Sequence, residues 1–386
     1  MNRKWYVLLL ICLIVCMVTA CANAADPVKQ YKNMSKWRMH EFMISTWGAP
    51  TDEASTKLFA DTGFNIVMAG PNMLDLLQKY HMKTIAMYVT PETVAKIKNH
   101  PAVWGYFVQD EPWNQADYDK VAAAAEAIRK VDRTHPCYIN LGGAMEGHPT
   151  FMNTVKPDFL SFDYYQWWWR PLSGDPHYTR LESYRKAALA ADLPLFCWIE
   201  SSSDPRYEWG KPGATRLPDN PQKLRHSVYT NLAYGVKGIQ WFTAGLAFDT
   251  APDGKVTRNK AGDDIAILNA DLKALGPILI NLTSTEVFHT SPVPATCRML
   301  PMSYWVATNN NNVLIGVFKD KDDKDYLLVV NRDWQNANDI KLTFDSSITG
   351  VEAFNRDSKK WKSVLKSNEA DFNLTMGDGV LLRVKR

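Results

Sequence analysis

"VWGYFVQDEPW", Val103 to Trp113, is an apolar, aromatic run that stops at three polar residues and a proline. Near-continuous apolar runs of this length are what strands buried on both faces of a parallel sheet require. Pro112 has no N–H to give a neighbouring strand, so pairing ends there. Gln109, Asp110 and Glu111 therefore stand where a packed strand emerges from the interior.

The same pattern recurs from residue 41 onward. The runs are "EFMIST" (41–46), "FNIVMAG" (64–70), "KTIAMYV" (83–89), "VWGYFVQ" (103–109), "CYINLGG" (137–143), "FLSFDYY" (159–165), "LFCWIES" (195–201) and "GIQWFTA" (238–244). Helix-like stretches separate them. "TPETVAKIKNH" opens on Thr90, an expected N-cap, and "NQADYDKVAAAAEAIRKVD" is rich in alanine, the strongest helix former. Eight strands alternating with helices predict an α/β fold, a (β/α)8 barrel over residues 30–283. A doubly wound open sheet would call for fewer strands and a glycine-rich first turn, and neither is present. Beyond about residue 284 the pattern changes to short alternating strands between Asp, Asn, Ser and Gly turns, which predicts a small all-β sandwich over 284–386.

Composition narrows the function. Of 386 residues, 46% are hydrophobic and the net charge is +3, with both signs dispersed. No basic block exists for a nucleic acid to bind. Aromatics make up 12%, which fits either a large core or flat faces that stack on sugar rings. Arg3 and Lys4 precede an apolar run from Trp5 to Val18, the n-region and h-region of an export signal over residues 1–24. "VTAC" (Val18 to Cys21) resembles a lipoprotein processing site, which would attach a lipid anchor at Cys21. "ANA" (Ala22 to Ala24) suits ordinary cleavage instead. Export is the shared expectation, either as a bacterial outer-membrane or surface lipoprotein or as a periplasmic or secreted protein. Cys137 and Cys197, in "CYINL" and "LFCWI", read as small buried hydrophobes. No CxxC or HxxxH pair offers a zinc site, and no cofactor is expected.

In a barrel of this kind the reacting groups lie at the C-terminal strand ends. Strand four ends in Asp110 and Glu111, strand five at Asn140, strand six at Asp163, Tyr164 and Tyr165, strand seven at Glu200, and strand eight near Trp241. Glu111 and Glu200 would face each other across the mouth. Two such carboxyls perform glycoside hydrolysis, one as proton donor and one as nucleophile or base. Glu146 and Glu208 are rival acids set deeper in loops. Trp47, Trp113, Trp167, Trp168, Trp169, Trp198 and Trp209 lie at or near strand ends, where indoles could hold a sugar. Each could equally be loop packing.

These residues resemble the clan A retaining glycoside hydrolases, over the barrel and the sandwich that often follows it. "QDEP" is similar to the clan's strand-four "NEP", which implies that Glu111 is the acid/base. "CWIES" implies that Glu200 is the nucleophile, and "FDYY" that Tyr165 or Tyr164 bonds to it. "IQWF" implies that Trp241 floors the sugar site. Asp110 replaces the clan's Asn, which holds the sugar 2-hydroxyl, so the group at C2 is open. The resemblance implies double displacement on a β-linked extracellular glycan. A glycan-binding lipoprotein on an inactive barrel and an inverting glycosidase are the alternatives.

Overall fold

The computed structural model describes residues 37–168, 176–202 and 220–386; the export signal with Cys21, and Trp169, Glu208 and Trp209, lie outside the described residues. Eight parallel strands form the central sheet: β1 (Met43–Thr46), β2 (Ile66–Ala69), β3 (Lys83–Ala86), β4 (Val103–Asp110), β5 (Cys137–Asn140), β6 (Leu160–Asp163), β7 (Leu195–Glu200) and β8 (Gly238–Phe242). Their order is β5-β4-β3-β2-β1-β8-β7-β6. The residue after β5 closes the ring. Leu141 donates its N–H to the Ser161 carbonyl at 2.9 Å, and Asp163 donates to the Leu141 carbonyl at 3.2 Å.

A helix follows each strand: α1 (Glu53–Asp61), α2 (Leu74–Lys79), α3 (Pro91–Ile97), α4 (Gln115–Val131), α5 (Phe151–Val155), α6 (Pro176–Ala191), α7 (Pro221–Ala233) and α8 (Lys260–Leu279). Local chemistry sets their starts. Asp52 and Ser55 form a reciprocal capping box before α1. Thr90 accepts from Thr93 N before α3, and Asn114 accepts from Asp117 N before α4. Each such cap contributes about 1 kcal/mol.

Strand alternation divides the barrel's apolar residues into two sets. Met43, Ile66, Met68, Ile85, Trp104, Tyr138, Phe159, Phe196 and Trp198 fill the interior. Ile44, Val67, Tyr106, Ile139, Phe162, Cys197, Ile239 and Trp241 face the helices. A short antiparallel hairpin, β9 (Phe248–Thr250) with β10 (Val256–Arg258), stands between β8 and α8 and has no counterpart in the sequence expectation.

The chain then builds two antiparallel sheets of six and three strands, starting at β11 (Thr283–His289). They have their own core, which includes Val306, Ile315, Leu327, Val329, Leu342 and Leu382. Polar contacts tie them to the barrel helices. Arg356 pairs with Asp271 of α8 at 2.8 Å and with Asp378 at 2.9 Å. Trp334 packs edge-on against Trp167 at 5.4 Å between ring centres. Among the described residues no helix is long and apolar enough to cross a membrane.

Candidate active site

Three carboxyls gather at the C-terminal mouth between β4 and β6: Asp110, Glu111 and Asp163. Glu111 has a left-handed backbone, φ 44°, a conformation that costs a non-glycine residue free energy and concentrates at functional sites. Its N–H bonds the Asn140 carbonyl at 2.9 Å. Its side chain lies over Gly142, where a Cβ would come within 2.5 Å of Glu111 Oε1 and 2.7 Å of Trp113 Cζ2. A Cβ on Gly143 would meet the same indole at 2.9 Å. Glycine at both positions therefore leaves room for the acid and for Trp113, which is 52% exposed.

Asp110 is held by a directional chain of hydrogen bonds rising from the barrel floor. Trp198 donates its indole N–H to the Tyr138 hydroxyl at 2.6 Å. Tyr138 donates to Gln240 Oε1 at 2.9 Å, and Gln240 donates to Ser161 Oγ at 3.1 Å. Ser161 donates to Asn140 Oδ1 at 2.9 Å, and Asn140 Nδ2 donates to Asp110 Oδ1 at 3.2 Å. The five donors before Asp110 belong to buried residues. Bonds in such a chain polarise one another, and the last acceptor is a carboxylate oxygen. Asp110's second oxygen takes no hydrogen bond among the described residues.

Asp163 is half-buried, and its Oδ1 is sealed from solvent without a partner. Burial first, then the neighbouring Glu111 and Asp110 carboxylates, push its pKa up to about 7. Burial and Glu111 also raise that of Asp110, while the Asn140 bond opposes the rise. Burial and neighbouring like charge both disfavour the ionised forms of Asp163 and Asp110.

The aromatic wall beside these acids is only partly the expected one. Trp47 packs against Trp198, Phe242 and Phe107 at 5.7, 6.0 and 6.2 Å. Tyr165 stacks on Phe242 at 5.2 Å and meets Trp168 at 4.9 Å. Phe242, rather than Trp241, faces the mouth. Trp241 is fully buried among the helices and donates to Asn269 Oδ1 at 2.9 Å, because alternation turns adjacent residues of β8 to opposite faces. Tyr164 likewise points outward, stacked on His177 with Arg180 over its ring, which leaves Tyr165 on the carboxylate side. Trp198 is a sealed floor residue, and Trp167 is buried under α7, where it donates to Ser227 Oγ at 2.9 Å. None of these four, Trp241, Tyr164, Trp198 and Trp167, offers a face to a ligand.

Glu200 has different surroundings from Glu111. It is in register with Phe242 and follows the inward Phe196 and Trp198, yet it has no exposed surface. Its Oε1 accepts from Ser227 Oγ of α7 at 3.0 Å, and Ser227 in turn accepts from Gln166 Nε2 at 2.7 Å. Its Oε2 is buried without a hydrogen bond, and burial pushes its pKa up to about 7. Against burial act its own backbone N–H, Ser227, the backbone of Trp167 and, least, Lys223 of α7. The groups acting on Asp163 include Glu111 and Asp110.

Sequence reasoning missed Tyr138, Ser161 and Gln240, which read as strand core, and Phe107 and Phe242, which read as packing. It also missed Tyr88, which follows β3 with φ 57° and is 88% exposed. A bulky residue in a left-handed conformation at a strand end is visible only in the backbone.

No family model matches the chain, and no curated protein matches it. Solved structures do. A family 5 glycoside hydrolase from Bacteroides vulgatus superposes with TM-score 0.58 at 13% identity, over 92% of this chain and 94% of that one. Alpha-L-fucosidase isoenzyme 2 from Paenibacillus thiaminolyticus gives TM-score 0.61 at 7% identity, over 90% of this chain and all of that one (100%). A further protein described as a glycoside hydrolase gives 0.57 at 11% identity, over 92% and 96% of the two chains. The chain thus has the barrel-plus-β fold found in glycoside hydrolases, at identities that speak for the fold alone.

Proposed function

We propose that the protein is a glycoside hydrolase working at the β4–β6 side of the barrel mouth, with Glu111 as acid/base and Asp110 and Asp163 against the sugar. The observation that carries the reading is the grouping of these acids. Glu111 lies over a glycine beside a preorganised Asp110, and Asp163 keeps a buried oxygen without a partner. Acid/base chemistry on a glycosidic bond needs a carboxyl positioned at the pocket with other carboxyls against the sugar. The exposed Trp113 and the Trp47, Tyr165 and Phe242 wall supply faces for a sugar ring.

The substrate in this reading is a β-linked glycan outside the cytoplasm. Its support is the strand-four motif and the N-terminal pattern Arg3, Lys4 and Trp5 to Val18. A second reading makes Glu200 the nucleophile of a double displacement with Glu111. It is favoured by Glu200's inward register and its unpartnered Oε2.

Aryl glycosides with graded leaving groups test the proposal. Glu111→Gln should lose roughly 10²–10⁴-fold on poor leaving groups, and much less on 2,4-dinitrophenolate, which departs without protonation. An equal loss on both, or none, would remove Glu111 from the acid role. Glu200→Gln separates the two readings, because a missing nucleophile stops turnover whatever the leaving group.

A further inference from the structure

Hydrolysis by a pair of carboxyls needs the second one on the opposite face of the sugar from the acid. The carboxyls that share Glu111's surroundings, Asp110 and Asp163, stand on its own side of the mouth, on β4 and β6. The carboxyl of β7, Glu200, is sealed against Ser227 of α7. Among the described residues, then, the acid is exposed at the mouth and the carboxyl of β7 has no exposed surface from which to attack.

Asp110 shows what completes the site. It directly precedes the acid, and a relay of five hydrogen bonds ends on its Oδ1. A carboxylate is acceptor-only, so its second oxygen is suited to one ligand N–H or O–H. A 2-hydroxyl would satisfy that oxygen and leave the nucleophile missing. A 2-acetamido group would satisfy it with its N–H, bring a carbonyl oxygen within reach of C1, and present a methyl. An apolar wall for the methyl lies beside the acids in Trp47, Tyr165, Trp168 and Phe242.

Building on the reading of Glu111 as the acid of a glycosidase, we infer that the substrate is a 2-acetamido-2-deoxy glycoside whose own acetamido oxygen is the nucleophile, with Asp110 holding the amide N–H. In the first step the carbonyl oxygen bonds to C1 as the bond from C1 to the leaving oxygen breaks. Glu111 gives its proton to that oxygen. The oxazolinium ring that forms carries a positive charge beside the Asp110 carboxylate, which accepts its N–H. In the second step Glu111 takes a proton from water and the water oxygen bonds to C1. The ring C1–O bond breaks, the amide is restored, and the anomeric configuration is retained.

The test compares 4-nitrophenyl 2-acetamido-2-deoxy-β-glucoside and β-galactoside with the corresponding 2-hydroxy glycosides, and then replaces N-acetyl by N-trifluoroacetyl. Fluorination weakens the amide oxygen as a nucleophile and leaves an enzyme carboxylate unaffected. The expected result is hydrolysis of the acetamido substrates, with kcat falling at least about tenfold on fluorination. Asp110→Asn should cut kcat on the same substrates by at least about tenfold while their leaving-group dependence stays that of the wild type. Acetamido substrates hydrolysed at a rate indifferent to fluorination, or turnover confined to 2-hydroxy glycosides, would overturn the inference and leave the glycosidase standing. No hydrolysis of either series would overturn both.

Discussion

Two strand ends that look alike in sequence behave as opposites in the fold. "VWGYFVQDE" and "LFCWIE" each drive an apolar run into a glutamate. At the first, Pro112 stops the pairing, Glu111 turns left-handed, and Gly142 and Gly143 clear a space in front of it. At the second the ladder continues, with Ser201 N–H on the Phe242 carbonyl at 2.9 Å, and α7 closes over the side chain with Ser227. An apolar-to-acid transition therefore marks where a barrel strand ends. Whether the acid meets solvent depends on what the neighbouring strand and the covering helix leave open.

The sharpest way to break this comparison is at Glu111. Glu111→Gln should cost roughly 10²–10⁴ in kcat/KM on poor leaving groups, read by steady-state kinetics, with the melting temperature close to wild type because the carboxyl makes no ion pair among the described residues. Gly142→Ala comes next. The added methyl would collide with Glu111 Oε1 and Trp113, and a misplaced acid of this kind loses roughly 10²-fold. A variant that keeps full activity would show that the space above Gly142 is not where the acid works.

Stability against pH probes the other end. Glu200's carboxyl titrates at about 7 in the fold against 4.5 as its ordinary value. A raised folded-state pKa means that its contribution is fully present below about 4.5 and is lost as pH rises through about 7. Gln has no such loss. Glu200→Gln should therefore gain on wild type as pH is raised from 4 to 9, by roughly 3 kcal/mol for a fully sealed group. Denaturant unfolding across that range checks it, and a pH-independent difference would mean that Glu200 is solvated. The smallest effect belongs to Tyr88. Tyr88→Ala should raise KM for longer oligosaccharides by several-fold, as losing an aromatic contact of about 1 kcal/mol would, and leave kcat and melting temperature unchanged.

Much of this was legible in the sequence because it rests on periodicity. The eight runs, Thr90 as a cap, and Asp110, Glu111 and Asp163 at strand ends all follow from where apolar stretches begin and stop. Orientation was harder to read. Trp241 and Phe242 are adjacent and equally aromatic, and only the register of β8 against β1 and β7 shows which of them faces inward. Tyr164 and Tyr165 differ in the same way. The relay from Trp198 to Asp110 draws on β5, β6, β7 and β8 together with β4, so no local window contains it. Glu200's burial depends on Ser227, 27 residues further along.

The most direct measurement sets Glu111→Gln and Glu200→Gln side by side on one poor and one activated aryl 2-acetamido-2-deoxy-β-glycoside. The account predicts that Glu111→Gln fails on the poor leaving group and recovers on the activated one, and that Glu200→Gln turns over both. Loss of both substrates in Glu200→Gln, in a protein that still folds, would contradict it and place the nucleophile on β7.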